Sequence, residues 1–124
     1  GQSFVSAKIR GLEGVVIDGA VRDVGEIRKY RMPTWCRGVT PRTGKCRIAA
    51  MEINGPVTLC RVVINPGDLI IADDSGICAV PPQHARAVLD KCRQILPDEE
   101  VMRKLIEEDA PISEIKKLFR KRYV

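Results

Sequence analysis

Residues 15–27 read VVIDGAVRDVGEI. The run from Gly14 to Ile17 is short, apolar and β-branched, which suits a buried strand. Asp18-Gly19 then reads as a turn that stops it. Residues 24–30 read as a short helix. Asp23 stands at its N-cap and Glu26 three positions on, the spacing of a capping box, and Met32-Pro33 ends it. Between strand and helix lie Arg22 and Asp23, adjacent and opposite in charge. Two readings of this pair are open. In one, Asp23 caps the helix and Arg22 is its exposed ion-pair partner. In the other, the pair sits at the mouth of the sheet, where α/β folds gather binding groups. There a guanidinium offers a planar fork to a carboxylate, and an adjoining aspartate can hold a hard divalent cation through oxygen.

Upstream of this stretch, residues 2–10 read as the end of a helix closed by Gly11. Downstream, TWCRGV (34–39) reads as the next strand and TPRTGKCR as a polar loop. Residues 49–81 are β-rich. AAMEI precedes Asn54-Gly55, a turn or hairpin signal. PVTLCRVVI comes next, then a turn at 65–68, LIIAD, a second turn at 74–76, and ICAV. Strands this short suggest a small, curved, mixed sheet or barrel. After Pro81-Pro82 the pattern turns helical, with Ala85, Val88, Leu89, Cys92 and Ile95 on one face. Pro97-Asp98 reads as a break and a new cap. Val101, Met102, Leu105 and Ile106 mark a second helix. A third starts at Pro111 and Ser113, with Ile115, Leu118 and Phe119 as its stripe. The expected organisation is one α/β domain over 1–124, with a core at 1–81 and a helical C-terminal segment at 82–124. The core reads as lacking an N-terminal part, as if its first strand lay upstream.

The chain has 124 residues, 44% hydrophobic and 30% charged, the balance of a globular protein. No apolar run approaches the roughly 20 residues of a membrane span, and no signal peptide is evident, so a cytoplasmic location is expected. The net charge is +5, and most of it lies in Lys116, Lys117, Arg120, Lys121 and Arg122. The near-neutral body argues against a broad nucleic-acid footprint. The tail reads either as a solvated helix end or as a contact for RNA or an acidic partner. Cys36, Cys46, Cys60, Cys78 and Cys92 form no Cys-x-x-Cys pair, and His84 is the single histidine. Zinc is therefore not expected, and the cysteines read as small buried hydrophobes. Asp68, Asp73 and Asp74 read as turn residues rather than ligands.

Three ordered motifs, GLEGVVIDGAVRDVGEI, RGVTPR and NPGDLIIADDSGICAVP, resemble the family that holds 4-hydroxy-4-methyl-2-oxoglutarate aldolases and regulators of ribonuclease activity A. The likeness runs from about Arg10 to Pro81 and continues more weakly through DEEVMRKLIEEDAPISEI. It implies a swivelling β/β/α domain, assembled as a homo-trimer or homo-hexamer with sites between subunits. It also implies a divalent-metal-dependent lyase that cleaves or decarboxylates a short 2-oxo acid through a pyruvate enolate, in the manner of the aldolase or of an oxaloacetate decarboxylase. Arg22 matches the arginine that contacts substrate, and Asp23 the aspartate that holds Mg²⁺ or Mn²⁺. Gly1, Gln2, Ser3 and Phe4 stand where the substrate-carboxylate loop should be, with Gln2 neutral where the aldolases tend to carry a carboxylate. Glu99 or Glu100 matches a carboxylate lent by a neighbouring subunit. Two alternatives accompany this reading. One is a non-catalytic, protein-binding module like the ribonuclease regulators. The other is the C-terminal domain of a fusion with a sugar-phosphate synthase.

Overall fold

The computed structural model describes residues 2–121, with side chains assigned as far as Leu118. The chain divides after Pro66 into two compact units. In the first, helix α1 (Gln2–Ile9) leads into strand β1 (Val15–Val21), helix α2 (Val24–Lys29), strand β2 (Thr34–Val39) and the hairpin β3 (Val57–Leu59) and β4 (Val62–Ile64). β1 and β2 pair in parallel, so β1–α2–β2 is a crossover unit. Its core is Val21, Ile27 and Met32, with Phe4, Ala7, Val15, Ile17 and Val24 packed around it.

Gly11 closes α1 as expected: its φ is +81°, and Leu12 N–H reaches back to the Ala7 carbonyl at 3.1 Å. Asp18-Gly19 is not a turn. β1 runs straight through it, and the ladder steps from Ile17↔Cys36 to Ala20↔Gly38. One extra residue on β1 makes this a β-bulge, a device that bends a strand and re-aims the side chains beyond it. Both Asp18 oxygens are engaged there. Arg37 Nε donates to Oδ1, and the Cys60 backbone N–H donates to Oδ2 at 2.8 Å.

Two further strand readings are corrected. AAMEI forms no strand. PVTLCRVVI is not one strand but two, β3 and β4, antiparallel with Leu59 opposite Val62. The turn between them is Cys60-Arg61, with φ of 50° and 71°. Two successive left-handed residues match the twist of a hairpin, and neither is the glycine or asparagine that would announce it.

In the second unit, β5 (Leu69–Ala72) and β6 (Ile77–Val80) form an antiparallel hairpin. Asp73 closes its turn: Oδ1 accepts the backbone N–H groups of Ser75 at 2.7 Å and Gly76 at 3.1 Å, as expected of a turn aspartate. A single turn of 3₁₀ helix at Pro82–His84 leads into α3 (Ala85–Glu107), and α4 (Ile112–Lys121) packs on α3. Pro97 does not split the helices. It lies inside α3, so the two helical stripes expected on either side belong to one rod. The architecture is mixed α/β with small two-stranded sheets. The cysteine reading is also corrected. All five are free and exposed: Cys36 and Cys78 lie on two-stranded sheets with open faces, Cys46 and Cys60 in turns, and Cys92 on α3.

Candidate active site

β1 and β2 end side by side, Val21 opposite Val39, and the chain leaves both at the carboxyl edge of a parallel pair. The Thr40 N–H donates to the Val21 carbonyl at 2.8 Å, tying the two exits together. Open α/β sheets collect ligands at this edge. Arg22 and Asp23 leave one strand and the loop from Thr40 leaves the other.

Asp23 makes the corner. Its φ of 62° and ψ of 40° are left-handed, a conformation that aspartate tolerates better than most residues. A side-chain cap needs extended backbone, so Asp23 makes no side-chain cap to α2. Its carbonyl opens the helix instead, accepting from Glu26 N–H at 3.0 Å and Ile27 N–H at 3.2 Å. The capping-box reading therefore fails, and the carboxylate is not spent on the amides of α2. Asp23 Oδ2 lies 3.2 Å from Arg22 Nε, with the two side chains 37% and 49% exposed. The pair is reachable from solvent rather than locked in the core.

Both residues line a cavity of about 550 Å³ within the first unit, in the range of small-molecule sites. Gln2, Ser3 and Phe4 of the first turn of α1 line it as well, and Ile17, Ala20 and Val21 form its floor. The structure thus brings Gln2, Ser3 and Phe4 together with Arg22 and Asp23. Gly1 lies outside the described residues. Glu99 and Glu100 are exposed on α3 in the second unit. Of the basic tail, Lys116 and Lys117 lie on α4, and Arg122 falls outside the described residues.

The remaining wall is Arg42, Thr43, Gly44, Lys45 and Ile48. Sequence reasoning passed over this stretch as a polar loop. The available signal was a pair of cations around a glycine immediately after a strand. A second polar cluster, Asp18, Arg37 and Cys60, was also missed. Its hydrogen bond from Arg37 and the Cys60 amide hold the Asp18 carboxyl down at about 2. The Arg37 guanidinium also reaches Cys60 Sγ at 3.6 Å. Its partners are one side chain from each of β1 and β2 and the hairpin turn, so it pins the β3–β4 hairpin to the bulge.

Among the described residues no three His, Cys, Asp or Glu side chains gather as a metal site. Asp23 supplies one carboxylate to the cavity. That donor set suits Mg²⁺ or Mn²⁺, which take one or two carboxylates and fill their other positions with water and substrate oxygens. It does not suit zinc, which wants thiolates or imidazoles. Among the described residues no helix is long and apolar enough to cross a membrane.

Comparison with known proteins finds relatives of this chain. A protein of Halalkalibacterium halodurans, provisionally named a 4-hydroxy-4-methyl-2-oxoglutarate aldolase, is 34% identical over 103 residues, covering 83% of this chain and 49% of its own. The structure of an uncharacterized protein from Pseudomonas syringae pv. tomato superposes with a TM-score of 0.85 at 27% identity, over 93% of this chain and 57% of that one. Streptomyces coelicolor RraAS2, described as an unusual member of the RNase ES inhibitor RraA protein family, superposes with a TM-score of 0.67 at 33% identity, over 78% of this chain and 50% of that one. The chain spans about half the length of the curated relatives it matches. The family model described as RraA-like, Aldolase/RraA, matches residues 1–79, which include every described wall of the cavity, and the chain belongs to that family.

Proposed function

We propose that the cavity binds a short 2-oxo acid and that the chain serves a divalent-metal-dependent lyase of the aldolase or decarboxylase kind. The observation that carries this reading is the exposed Arg22–Asp23 pair at the carboxyl edge of β1, sharing one cavity with the first turn of α1. In retro-aldol cleavage of a 4-hydroxy-2-oxo acid, the C3–C4 bond breaks and the 4-hydroxyl loses its proton to water as C4 becomes a carbonyl. The electron pair left on C3 spreads onto the 2-oxo oxygen, and C3 then takes a proton to become the methyl of pyruvate. Arg22 binds the substrate carboxylate or 2-oxo oxygen and stabilises the charge that develops there. The free N–H groups in the first turn of α1, at Gln2, Ser3 and Phe4, offer donors to the carboxylate. Asp23 would hold Mg²⁺ or Mn²⁺, whose positive charge would lower the cost of negative charge on the 2-oxo oxygen. The proposed working form is a homo-trimer or homo-hexamer of swivelling β/β/α domains, with Glu99 or Glu100 of one subunit serving the site of the next.

The test is pyruvate release from oxaloacetate or 4-hydroxy-2-oxoglutarate, followed by a coupled dehydrogenase. Chelator and Asp23→Asn should each abolish it. Loss of one charge-assisted contact in Arg22→Ala should lower kcat/KM by about 10- to 100-fold. Release that persists unchanged through chelation and both substitutions rejects the lyase.

A second reading, a protein-binding module without turnover, is supported by the likeness to RraAS2 and by the exposed Val62, Val63, Ile70 and Ile71. It predicts a specific protein partner and no metal-dependent pyruvate release.

A further inference from the structure

A second cavity, of about 450 Å³, is lined by α2, the turn after it and β2, and shares only Val21 with the cavity of Arg22 and Asp23. The three buried residues of the core, Val21, Ile27 and Met32, form part of its wall. Val24 and Val39 extend that apolar wall, and Val39 is 69% exposed. Hydrocarbon placed here would leave water and lie against the core. The charged groups of the lining are Arg28 and Arg31. Among the described residues no carboxylate lines this cavity, and neither arginine forms a salt bridge. The backbone fixes where the two stand. The Arg31 N–H donates to the Arg28 carbonyl at 3.0 Å and the Met32 N–H to the Ile27 carbonyl at 3.1 Å, the paired bonds of a Schellman ending. Arg31 holds the left-handed position of that ending, with a φ of 49°, where glycine is usual. The end of a helix carries about half a negative charge, and two full cations outweigh it.

We propose that this cavity binds an amphipathic carboxylate, with a medium-length acyl chain on Val24, Met32 and Val39 and the head group on Arg28 and Arg31. A cavity of roughly 150 Å³ holds a benzene ring, so about 450 Å³ takes several methylenes and a carboxylate. Each methylene withdrawn from water adds to affinity, and each guanidinium presents a planar fork that a carboxylate accepts. The site is separate from the Arg22–Asp23 pair and does not rest on the lyase reading.

The test titrates octanoate, octanol and butanoate into the full chain by calorimetry. Octanoate should saturate a single site and bind about tenfold or more tighter than octanol, because hydrogen bonds to charged groups are the strong ones. It should also exceed butanoate, which lacks four of its methylenes, by about tenfold or more. Arg28→Gln and Arg31→Gly should each weaken octanoate and leave octanol as it was. Both residues are exposed, and Arg31→Gly supplies the residue that the left-handed position favours, so the guanidinium is lost without new strain. Unchanged Trp35 fluorescence confirms that the variants fold. Cys36 gives a readout of place, since it is exposed and lines the cavity. Octanoate should slow its alkylation by iodoacetamide, followed on the tryptic peptide of residues 32–37, while Cys46, Cys60, Cys78 and Cys92 react as before. Octanoate that fails to saturate, equals octanol or butanoate, keeps its preference in both variants, or leaves Cys36 unshielded overturns the proposal. A Cys36 already shielded without ligand, and uncovered on dilution, overturns it too and gives the groove to a second copy of the chain.

Discussion

Ile27→Ala tests the packing that holds the Arg22–Asp23 corner in place. Ile27 is 6% exposed and packs with Val21 and Met32. Its backbone also carries the corner, donating to the Asp23 carbonyl and accepting from the Met32 N–H at 3.1 Å. Truncation to alanine removes three carbons, at about 0.8 kcal/mol each. The unfilled space adds to this, for an expected loss of roughly 2–4 kcal/mol. Ile27→Val removes one carbon and should cost about 1 kcal/mol. Against a typical total of roughly 5–15 kcal/mol, the alanine variant is severely weakened. Trp35 is the single tryptophan and lies half-buried on β2, so its fluorescence in urea follows the first unit alone. With a slope of about 1–3 kcal/mol per molar, the midpoint should fall by about 1–2 M for alanine and by less than half that for valine. An alanine variant that loses under about 1 kcal/mol, or a valine variant equal to it, would refute the assignment of this cluster as the core.

Two other expectations concern the cluster at the bulge. The Asp18 carboxyl sits at about 2 against an ordinary 3.8, so its grip on Arg37 and Cys60 is fully present above 3.8 and lost as pH falls from there through about 2. A carboxyl-carbon NMR titration should find the Asp18 midpoint near 2, rising toward 3.8 in Arg37→Ala; a native midpoint already near 3.8 counts against the cluster. The double change Cys60→Asn and Arg61→Gly supplies the residues that left-handed turn positions favour. It keeps the Cys60-position N–H on Asp18 and should stabilise the hairpin by about 1 kcal/mol, read as slower amide exchange from Val57 to Ile64. Faster exchange would show that the turn is not what limits the hairpin.

Legibility in the sequence tracked local determinism. α1 ends where Gly11 sits, β2 fills TWCRGV, and the β5–β6 hairpin closes where Asp73 can bond its own backbone, because each signal acts within a few residues. Misreadings arose where distant partners decide. Asp18-Gly19 carries turn residues, yet Arg37 and Cys60 hold it in a strand. Cys60-Arg61 turns without turn residues. Pro97 is carried inside a long helix that its own propensity would break. At the site, the adjacency of Arg22 and Asp23 was plain in the sequence. Their freedom from capping depended on a backbone angle, and the arrival of Arg42 and Lys45 on the same cavity depended on β1 and β2 ending in register.

The bulge has a chemical consequence beyond its geometry. In flexible chains, aspartate followed by glycine is prone to cyclise: the glycine nitrogen attacks the side-chain carbonyl and leaves an isomerised backbone. Asp18 is ionised, both of its oxygens are engaged, and Gly19 is drawn out along a strand, so the nitrogen faces a poor electrophile from the wrong side. The same contacts that shape the sheet should let this linkage outlast an exposed Asp-Gly by slowing its ageing.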